Sequence, residues 1–148
     1  RVGERTMEAW ALHMLGGAQV RTGALDDSEA NLRAAMRLFH EAGDVAGIAL
    51  VLDDLASVAV ARGDLTRAAR LWGAARAVSS ASGVGLADFV DSNFEYHVRP
   101  SARVALDPAE LERFSNEGRA MTLDEAVAYA LETTIDDLAP HDHTGAVR

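Results

Sequence analysis

The sequence predicts an all-α fold of two stacked helical hairpins and a C-terminal helical cap. The first observation is an internal repeat: GALDDSEANLRAAMRLFHEAGD, which begins at Gly23, matches GDLTRAARLWGAARAVSSASGV, which begins at Gly63, 40 residues later. A helical repeat of this length is typical of stacked helical hairpins. The second observation is composition, since the chain is rich in alanine and has no stretch of strand-like alternation.

The first hairpin is predicted from apolar residues at helical spacing. Its first helix covers about residues 4–22 and ends at Gly23, because glycine adopts the left-handed conformation at little cost. Its second helix starts near Asp26 or Asp27, whose charges favour the positive end of a helix, and stops at Gly43. The apolar positions that define the two helices are Met7, Ala11, Leu15, Ala18 and Val20, then Leu32, Ala35, Met36 and Phe39.

The second hairpin repeats this pattern. A third helix over about 45–62 is capped by Asp44, and a fourth over about 65–82 is capped by Asp64. Trp72 is predicted to be buried between the two hairpins, where it fills the gap between them. Residues 1–84 therefore form the two hairpins, and the weak helix formers around Gly83 mark a joint.

The cap is predicted to cover residues 85–139 of the same domain. It contains a helix over about 88–104, kinked or interrupted at Pro100, and a helix that begins at Asp107–Pro108, because proline suits the first turn. A capping box, Thr122 to Glu125, starts a final helix to about residue 133. The polar tail, 140–148, is predicted to be disordered.

The two repeats resemble tetratricopeptide repeats. That family has a leucine and a small residue in the first helix of each hairpin, a glycine at its end, and alternating small and large residues in the second helix. The second repeat matches with Leu55, Ala56, Gly63, Ala68, Trp72 and Ala75; the first has Leu15, Gly16, Gly23, Ser28, Leu32 and Ala35. Ser28 departs from the family's alanine, and the 40-residue period exceeds the usual ~34.

The C-terminal part resembles the end of large bacterial regulators. The segments are AARLWGAARAV (68–78) and EGRAMTLDEAVAYAL (117–131). Those proteins combine an ATP-binding switch domain with helical repeats, and carry a LuxR-type DNA-binding module or a cyclase-like domain. The resemblance implies an interaction or effector-sensing module of a cytoplasmic bacterial signalling or transcriptional regulator. The start at Arg1, without methionine, suggests a fragment of a longer chain.

Composition argues against several function classes. The net charge is −9 and all 14 basic residues are arginine, so phosphate backbones and anionic membranes would be repelled. Without cysteine, disulfides and thiolate chemistry are excluded. No apolar run approaches the ~20 residues of a membrane span. We therefore expect a cytoplasmic location, no direct nucleic-acid binding, no membrane association and no cofactor.

The family pattern implies a partner-binding surface on the concave face, lined by the first helix of each hairpin. Its candidate residues are Trp10, His13, Arg21, Asp53 and Ser57. They would bind a protein or peptide, another domain of the parent chain, or a small effector. The alternative is that Trp10 packs against a neighbouring helix and the charged groups are solvated. A second function left open is homodimerisation, through apolar surface that a terminal repeat exposes.

Catalytic groups are not recognisable in the sequence. Asp53 and Asp54 are adjacent in a helix, so their side chains point about 100° apart and cannot form a facing carboxylate pair. His141 and His143 lie in a short tail without supporting contacts, so a specific metal site is not expected. We expect neither an enzyme nor a metal protein in this segment.

Overall fold

The computed structural model describes residues 1–83, 85–98, 100 and 105–138. Within these ranges the chain has seven α-helices and no strand, which confirms the predicted all-α fold of helical hairpins. The helices are α1 (Val2–Thr22), α2 (Leu25–Ala42), α3 (Val45–Ala61), α4 (Leu65–Ser82), α5 (Leu86–Asn93), α6 (Pro108–Arg119) and α7 (Leu123–Leu131). A π-helical turn (Phe94–Val98) continues α5, and a 3₁₀ turn (Asp136–Leu138) follows α7. The predicted disordered tail, 140–148, lies outside the described residues.

The ends of the first four helices are set by local sequence signals. Gly23, Gly43, Gly63 and Gly83 follow one another at 20-residue intervals, with φ angles of 82°, 67°, 80° and 71°. This left-handed conformation strains other residues and ends a helix. Asp44 and Asp64 accept hydrogen bonds from backbone amides three residues on, at 2.9 and 3.1 Å. The predicted caps of α3 and α4 are therefore confirmed.

The two hairpins, α1–α2 and α3–α4, stack through contacts of α3 with both α1 and α2. Phe39 fills the junction between them. Its ring lies so close to Gly47 of α3 that a Cβ atom there would stand 2.4 Å from the ring. The Trp10 ring also contacts Phe39 edge-on, with 5.1 Å between centroids.

Trp72 is buried as predicted, with 6% of its surface exposed, but its aromatic partner belongs to the cap. Its ring stacks on Phe94 of the π-helical turn, with 3.7 Å between centroids and 20° between planes. The position predicted between the hairpins was therefore wrong. The physical reason is that α4 is the last helix of the stack, so α5 and α6 pack against it.

The apolar spacing that predicted α1 does not mark its buried face. Met7 is 75% exposed and Leu15 is 49% exposed. The buried positions of α1 are instead Ala9 and Gly16, with Trp10 half-buried beside them. Because α1 carries apolar residues on more than one face, helical spacing alone predicts the helix without its orientation.

The cap is held on α4 by an unusually close approach of α6. A Cβ atom at Gly73 would stand 2.0 Å from the carbonyl oxygen of Ser115, and one at Gly118 would stand 2.0 Å from that of Arg70. The two helices therefore touch backbone to backbone. Helix α7 packs across α2, α3 and α4, so the cap closes over both hairpins.

Both predicted starts of the cap helices are confirmed. Asp107 and Thr122 each form a complete capping box, and Pro108 occupies the first turn of α6. The predicted helix over 88–104 begins slightly earlier, at Leu86, and becomes π-helical at Phe94. Its predicted interruption at Pro100 falls beside residues 99 and 101–104, which lie outside the described ranges.

Gly73→Ala is expected to lower the free energy of unfolding by about 3 kcal/mol, the upper range for overpacking. The added methyl group would meet backbone rather than a movable side chain, so α4 and α6 must separate. Gly3→Ala is the matched control, because no atom lies within 4 Å of that position and alanine is the better helix former. Chemical denaturation should therefore lower the midpoint for Gly73→Ala and leave it equal or slightly raised for Gly3→Ala; a midpoint for Gly73→Ala as high as that of the control would contradict the close approach.

Candidate functional site

Of the residues predicted to line the concave face, Trp10 and His13 lie in contact with each other. Its indole is half-buried, and the His13 imidazole lies edge-on to it with 5.7 Å between centroids. With Phe39 on another side, Trp10 packs into the hairpin junction. This matches the alternative in which Trp10 contacts a neighbouring helix.

His13 connects the first helices of the two hairpins. Its Nδ1 atom is 3.0 Å from Oδ2 of Asp54, and the two side chains are 13% and 23% exposed. Gly17 makes room for this contact, because a Cβ atom there would stand 3.3 Å from the same oxygen. The pair therefore joins α1 to α3, and little of the imidazole is left for a partner.

Asp53 lies in the interior, where the sequence-based pattern expected an exposed inner position. Only 1% of its surface is exposed. Nδ2 of Asn93 donates a hydrogen bond of 2.6 Å to Oδ2, while Oδ1 is buried without a hydrogen-bond partner. Burial raises the pKa of Asp53 to about 7, and the charge of Asp54 adds to it, although the Asn93 hydrogen bond opposes the shift. The expected exposure of Asp53 was wrong because α5 and the π-helical turn cover this face of α3.

The remaining two candidates, Ser57 and Arg21, do not form a continuous exposed surface with the other three. Ser57 is half-buried, and its hydroxyl donates to the carbonyl oxygen of Asp53 at 3.4 Å. Arg21 is exposed in the last turn of α1. The structure thus brings together Trp10 with His13, and Asp53 with Ser57. Arg21 is the one of the five candidates that is exposed.

Two arginines that the sequence analysis missed, Arg33 of α2 and Arg67 of α4, contact the C-terminal end of α7. Arg33 donates to the carbonyl of Leu131 at 3.1 Å, and Arg67 donates to the carbonyls of Tyr129 and Ala130 at 3.3 and 3.1 Å. Leu131 and Ala130 are among the last carbonyls of α7, which a helix C-terminus leaves without a partner in the helix, whereas the Tyr129 carbonyl also accepts the backbone N–H of Glu132 at 3.2 Å. The arginines therefore fasten the cap to both hairpins. No local pattern could reveal contacts that span up to 98 residues.

The same arginines border a cavity of about 450 Å³. Arg33 bonds the Glu29 and Glu132 carboxylates, and Arg62 pairs with Glu29 at 3.1 Å. The hydrogen bond from Arg33, with the nearby charges of Arg33 and Arg67, lowers the pKa of Glu132 although its partial burial opposes this. Because its cations already pair with acids of the chain, the cavity offers no ready site for a further anion.

The largest exposed apolar feature of α1 is a stripe formed by Met7, Ala11, Met14 and Leu15, here called the α1 stripe. Met7 and Met14 are 75% and 69% exposed, and Leu15 is 49% exposed. Spacing of three, four and seven residues places these side chains on one helical face. Large apolar groups gathered on one exposed face are typical of interaction surfaces.

The internal repeat identifies the residues of α3 that occupy the same positions as the α1 stripe. Forty residues after Met7, Ala11 and Leu15 stand Gly47, Val51 and Leu55 of α3, and all three are buried. Gly47 packs on Phe39, and Leu55 borders the cavity beside α2. Three of the four stripe positions therefore correspond to the face by which α3 stacks on the preceding helix, while the fourth, Met14, corresponds to Asp54, which contacts His13 of α1.

Other site types find little support in the described part of the chain. No group of three histidine, aspartate or glutamate side chains is placed to hold a metal ion there. The tail histidines, His141 and His143, lie outside the described residues. Among the described helices, none combines the length and apolar character that crossing a membrane requires.

Comparison with known proteins adds no relative. Neither models of protein families, nor curated protein sequences, nor solved structures give a match.

Proposed function

We propose that this chain is a helical-repeat interaction module, without catalysis, of a cytoplasmic bacterial signalling or transcriptional regulator. The observation that carries the proposal is the α1 stripe. An apolar helix face that is buried in one repeat and exposed in the other is an unfilled stacking position. The sequence resemblance to regulators with helical repeats supports the setting.

The partner that this geometry favours is another helical hairpin, supplied by a partner protein or by another domain of the parent chain. In the stack, α3 packs its matching face on α2, the second helix of the preceding hairpin. A partner helix in the place of α2 would reproduce the packing of the repeat on α1. Full burial of one Met or Leu side chain contributes about 1.5–3 kcal/mol, and the three large side chains of the stripe are already partly buried, so after the cost of association we expect modest binding.

The test uses a fluorescent peptide with the sequence of α2, Leu25–Ala42, as a stand-in for the partner helix. We expect it to bind the intact chain, with anisotropy as the readout. The double variant Met7→Glu, Leu15→Glu should weaken binding at least about tenfold, because each lost side chain exceeds the 1.4 kcal/mol per tenfold change. Its melting temperature should stay close to that of the unmodified chain, since both positions are exposed.

Phe89→Glu is the matched control, because Phe89 is also a large, exposed apolar residue, 58% exposed, but lies on α5. It should bind the peptide like the unmodified chain. Equal weakening by both variants would show that charge alone matters and would contradict a site on α1. Absence of peptide binding together with a single-chain mass would remove the stripe as an interaction surface.

Homodimerisation is the second candidate, and the same stripe favours it. Two α1 helices could bury their stripes against each other around a two-fold axis, which is the commonest symmetry of homo-oligomers. Light scattering would then give the mass of two chains, and Met7→Glu with Leu15→Glu would restore the mass of one. The repeat geometry favours the hairpin partner over this dimer. In the stack, α3 contacts α2 more extensively than it contacts α1, so a second helix is the more usual neighbour of a first helix.

A further inference from the structure

The junction between α2 and α3 is a template for a helix that packs on the α1 stripe. In this junction the Phe39 ring lies so close to Gly47 that a Cβ atom there would stand 2.4 Å from the ring. Phe39 is fully buried in this position. A large side chain of the second helix therefore fills a gap that only glycine leaves in the first helix of the next hairpin, and the end of α2 lies beside the start of α3.

Met7 occupies the place of Gly47 on α1 in the 40-residue repeat. Its side chain is 75% exposed, so it projects from the helix where Gly47 leaves a gap. Leu15, by contrast, corresponds to Leu55, a residue of the same type. A helix stacked on α1 as α2 is stacked on α3 would keep the packing beside Leu15. It would overlap Met7, however, if it carried a phenylalanine at the position of Phe39.

The opposite end of the junction carries complementary charges. Arg62, at the end of α3, pairs with Asp26 and Glu29 in the first turns of α2, at 2.6 and 3.1 Å. On α1 the repeat places Thr22 at the position of Arg62, and the residue before it, Arg21, is exposed in the last turn of the helix. An antiparallel helix on the stripe would bring its own start beside Arg21, where acidic residues complement the positive charge.

The second helices of this chain's own hairpins do not meet both conditions. Helix α2 has the acidic start but carries Phe39. Helix α4 has the small residue Ser79 forty positions after Phe39, but its first turn carries Arg67 and no acid. The helix that fits the stripe therefore belongs to a partner of different sequence and not to a second copy of this chain.

We propose that the α1 stripe selects an antiparallel partner helix with a small residue beside Met7 and acidic residues beside Arg21. This proposal rests on the interaction surface assigned under the proposed function and specifies the helix that the surface accepts. The large side chain and the gap change places between the two junctions. In the stack the second helix supplies the large side chain, whereas on α1 the first helix supplies it, as Met7. Met7 is then the residue that determines specificity.

Two fluorescent peptides test the size condition: the α2 sequence, Leu25–Ala42, and its Phe39→Ala form. Both keep the acids Asp26 and Glu29. On the intact chain the Phe39→Ala peptide should bind about fivefold or more tightly by anisotropy, because overpacking against Met7 costs more than the apolar contact contributes. In an interface that fits phenylalanine, the same truncation would weaken binding instead.

Met7→Gly creates on α1 the gap that Gly47 leaves in α3. On this variant the preference should reverse in favour of the peptide with phenylalanine. Measuring both peptides on both chains cancels the different helix propensities of alanine and phenylalanine. Met7→Ala keeps a good helix former at this exposed position, so it remains folded if the glycine variant does not. It should shift the preference in the same direction by a smaller amount.

Arg21→Glu tests the orientation of the partner helix. It should weaken binding of the Phe39→Ala peptide about two- to fivefold, the range for an exposed ion pair. Arg113→Glu is the matched control, because it makes the same change of charge at an exposed position of α6. It should leave the affinity unchanged.

Three outcomes would overturn the proposal while leaving the α1 stripe as the binding site. They are equal or tighter binding of the α2 peptide to the unmodified chain, a preference that Met7→Gly leaves unchanged, and equal effects of the two arginine variants. Binding of neither peptide would remove the stripe itself, and the proposed function with it. The two proposals therefore fail in distinguishable ways.

Discussion

Asp53→Asn is expected to raise the free energy of unfolding by about 4 kcal/mol at pH 8 and to change it little below pH 4. The Asp53 carboxyl is buried, with one oxygen unpartnered, and this burial raises its pKa from 3.8 to about 7. Above that pH the folded chain must hold a buried charge. Asparagine mimics the protonated acid, because its side-chain oxygen can accept the Asn93 hydrogen bond and it carries no charge.

The sign of the pH dependence follows from proton binding. Between about pH 4 and pH 7 the folded state keeps the Asp53 proton that the unfolded state loses, so stability falls as pH rises. The contribution is complete below the unfolded pKa and is lost once pH passes the folded pKa. The difference between Asp53→Asn and the unmodified chain should therefore grow through this window and level off above it.

Denaturant titrations at pH 4, 6 and 8 measure this difference. Glu8→Gln is the matched control, since it makes the same carboxyl-to-amide change at an exposed position of α1. Its effect should remain within about 0.5 kcal/mol at all three values. A constant difference between Asp53→Asn and the unmodified chain across this pH range would contradict the raised pKa.

Helix boundaries were predictable because their causes are local. Gly23 and Gly43 end helices through their own backbone conformation, and the capping boxes at Asp107 and Thr122 close within three residues. Such signals need no knowledge of the rest of the chain. The internal repeat strengthened these predictions, because the helix boundaries of one hairpin predict those of the other.

The orientation of the helices and the contents of the site were not predictable in the same way. The contacts His13–Asp54 and Asp53–Asn93 each join residues about 40 positions apart, and their partners depend on how hairpins and cap pack. One signal was overlooked: Gly73 and Gly118 are isolated glycines inside helical patterns. Such glycines usually have a packing reason, and here the reason is the backbone contact between α4 and α6.

Trp72→Ala is expected to lower the free energy of unfolding by about 3–5 kcal/mol, the range for removing a large buried aromatic side chain. The variant loses the stack with Phe94 and enlarges a cavity beneath α6. Because these contacts join α4 to the cap, the loss should loosen the cap before it affects the hairpins. Hydrogen exchange should therefore speed up most in α5 and α6.

Trp10→Ala separates this result from a general effect of losing an indole. Trp10 packs on Phe39 at the junction of the hairpins, so its removal should speed exchange in α1 and α2 and leave α6 closer to its original protection. The two variants thus probe opposite ends of the stack. If Trp72→Ala instead opened α1 and α2 as much as α6, Trp72 would act at the hairpin junction, as the repeat alignment alone had predicted, and its assignment to the cap would be wrong.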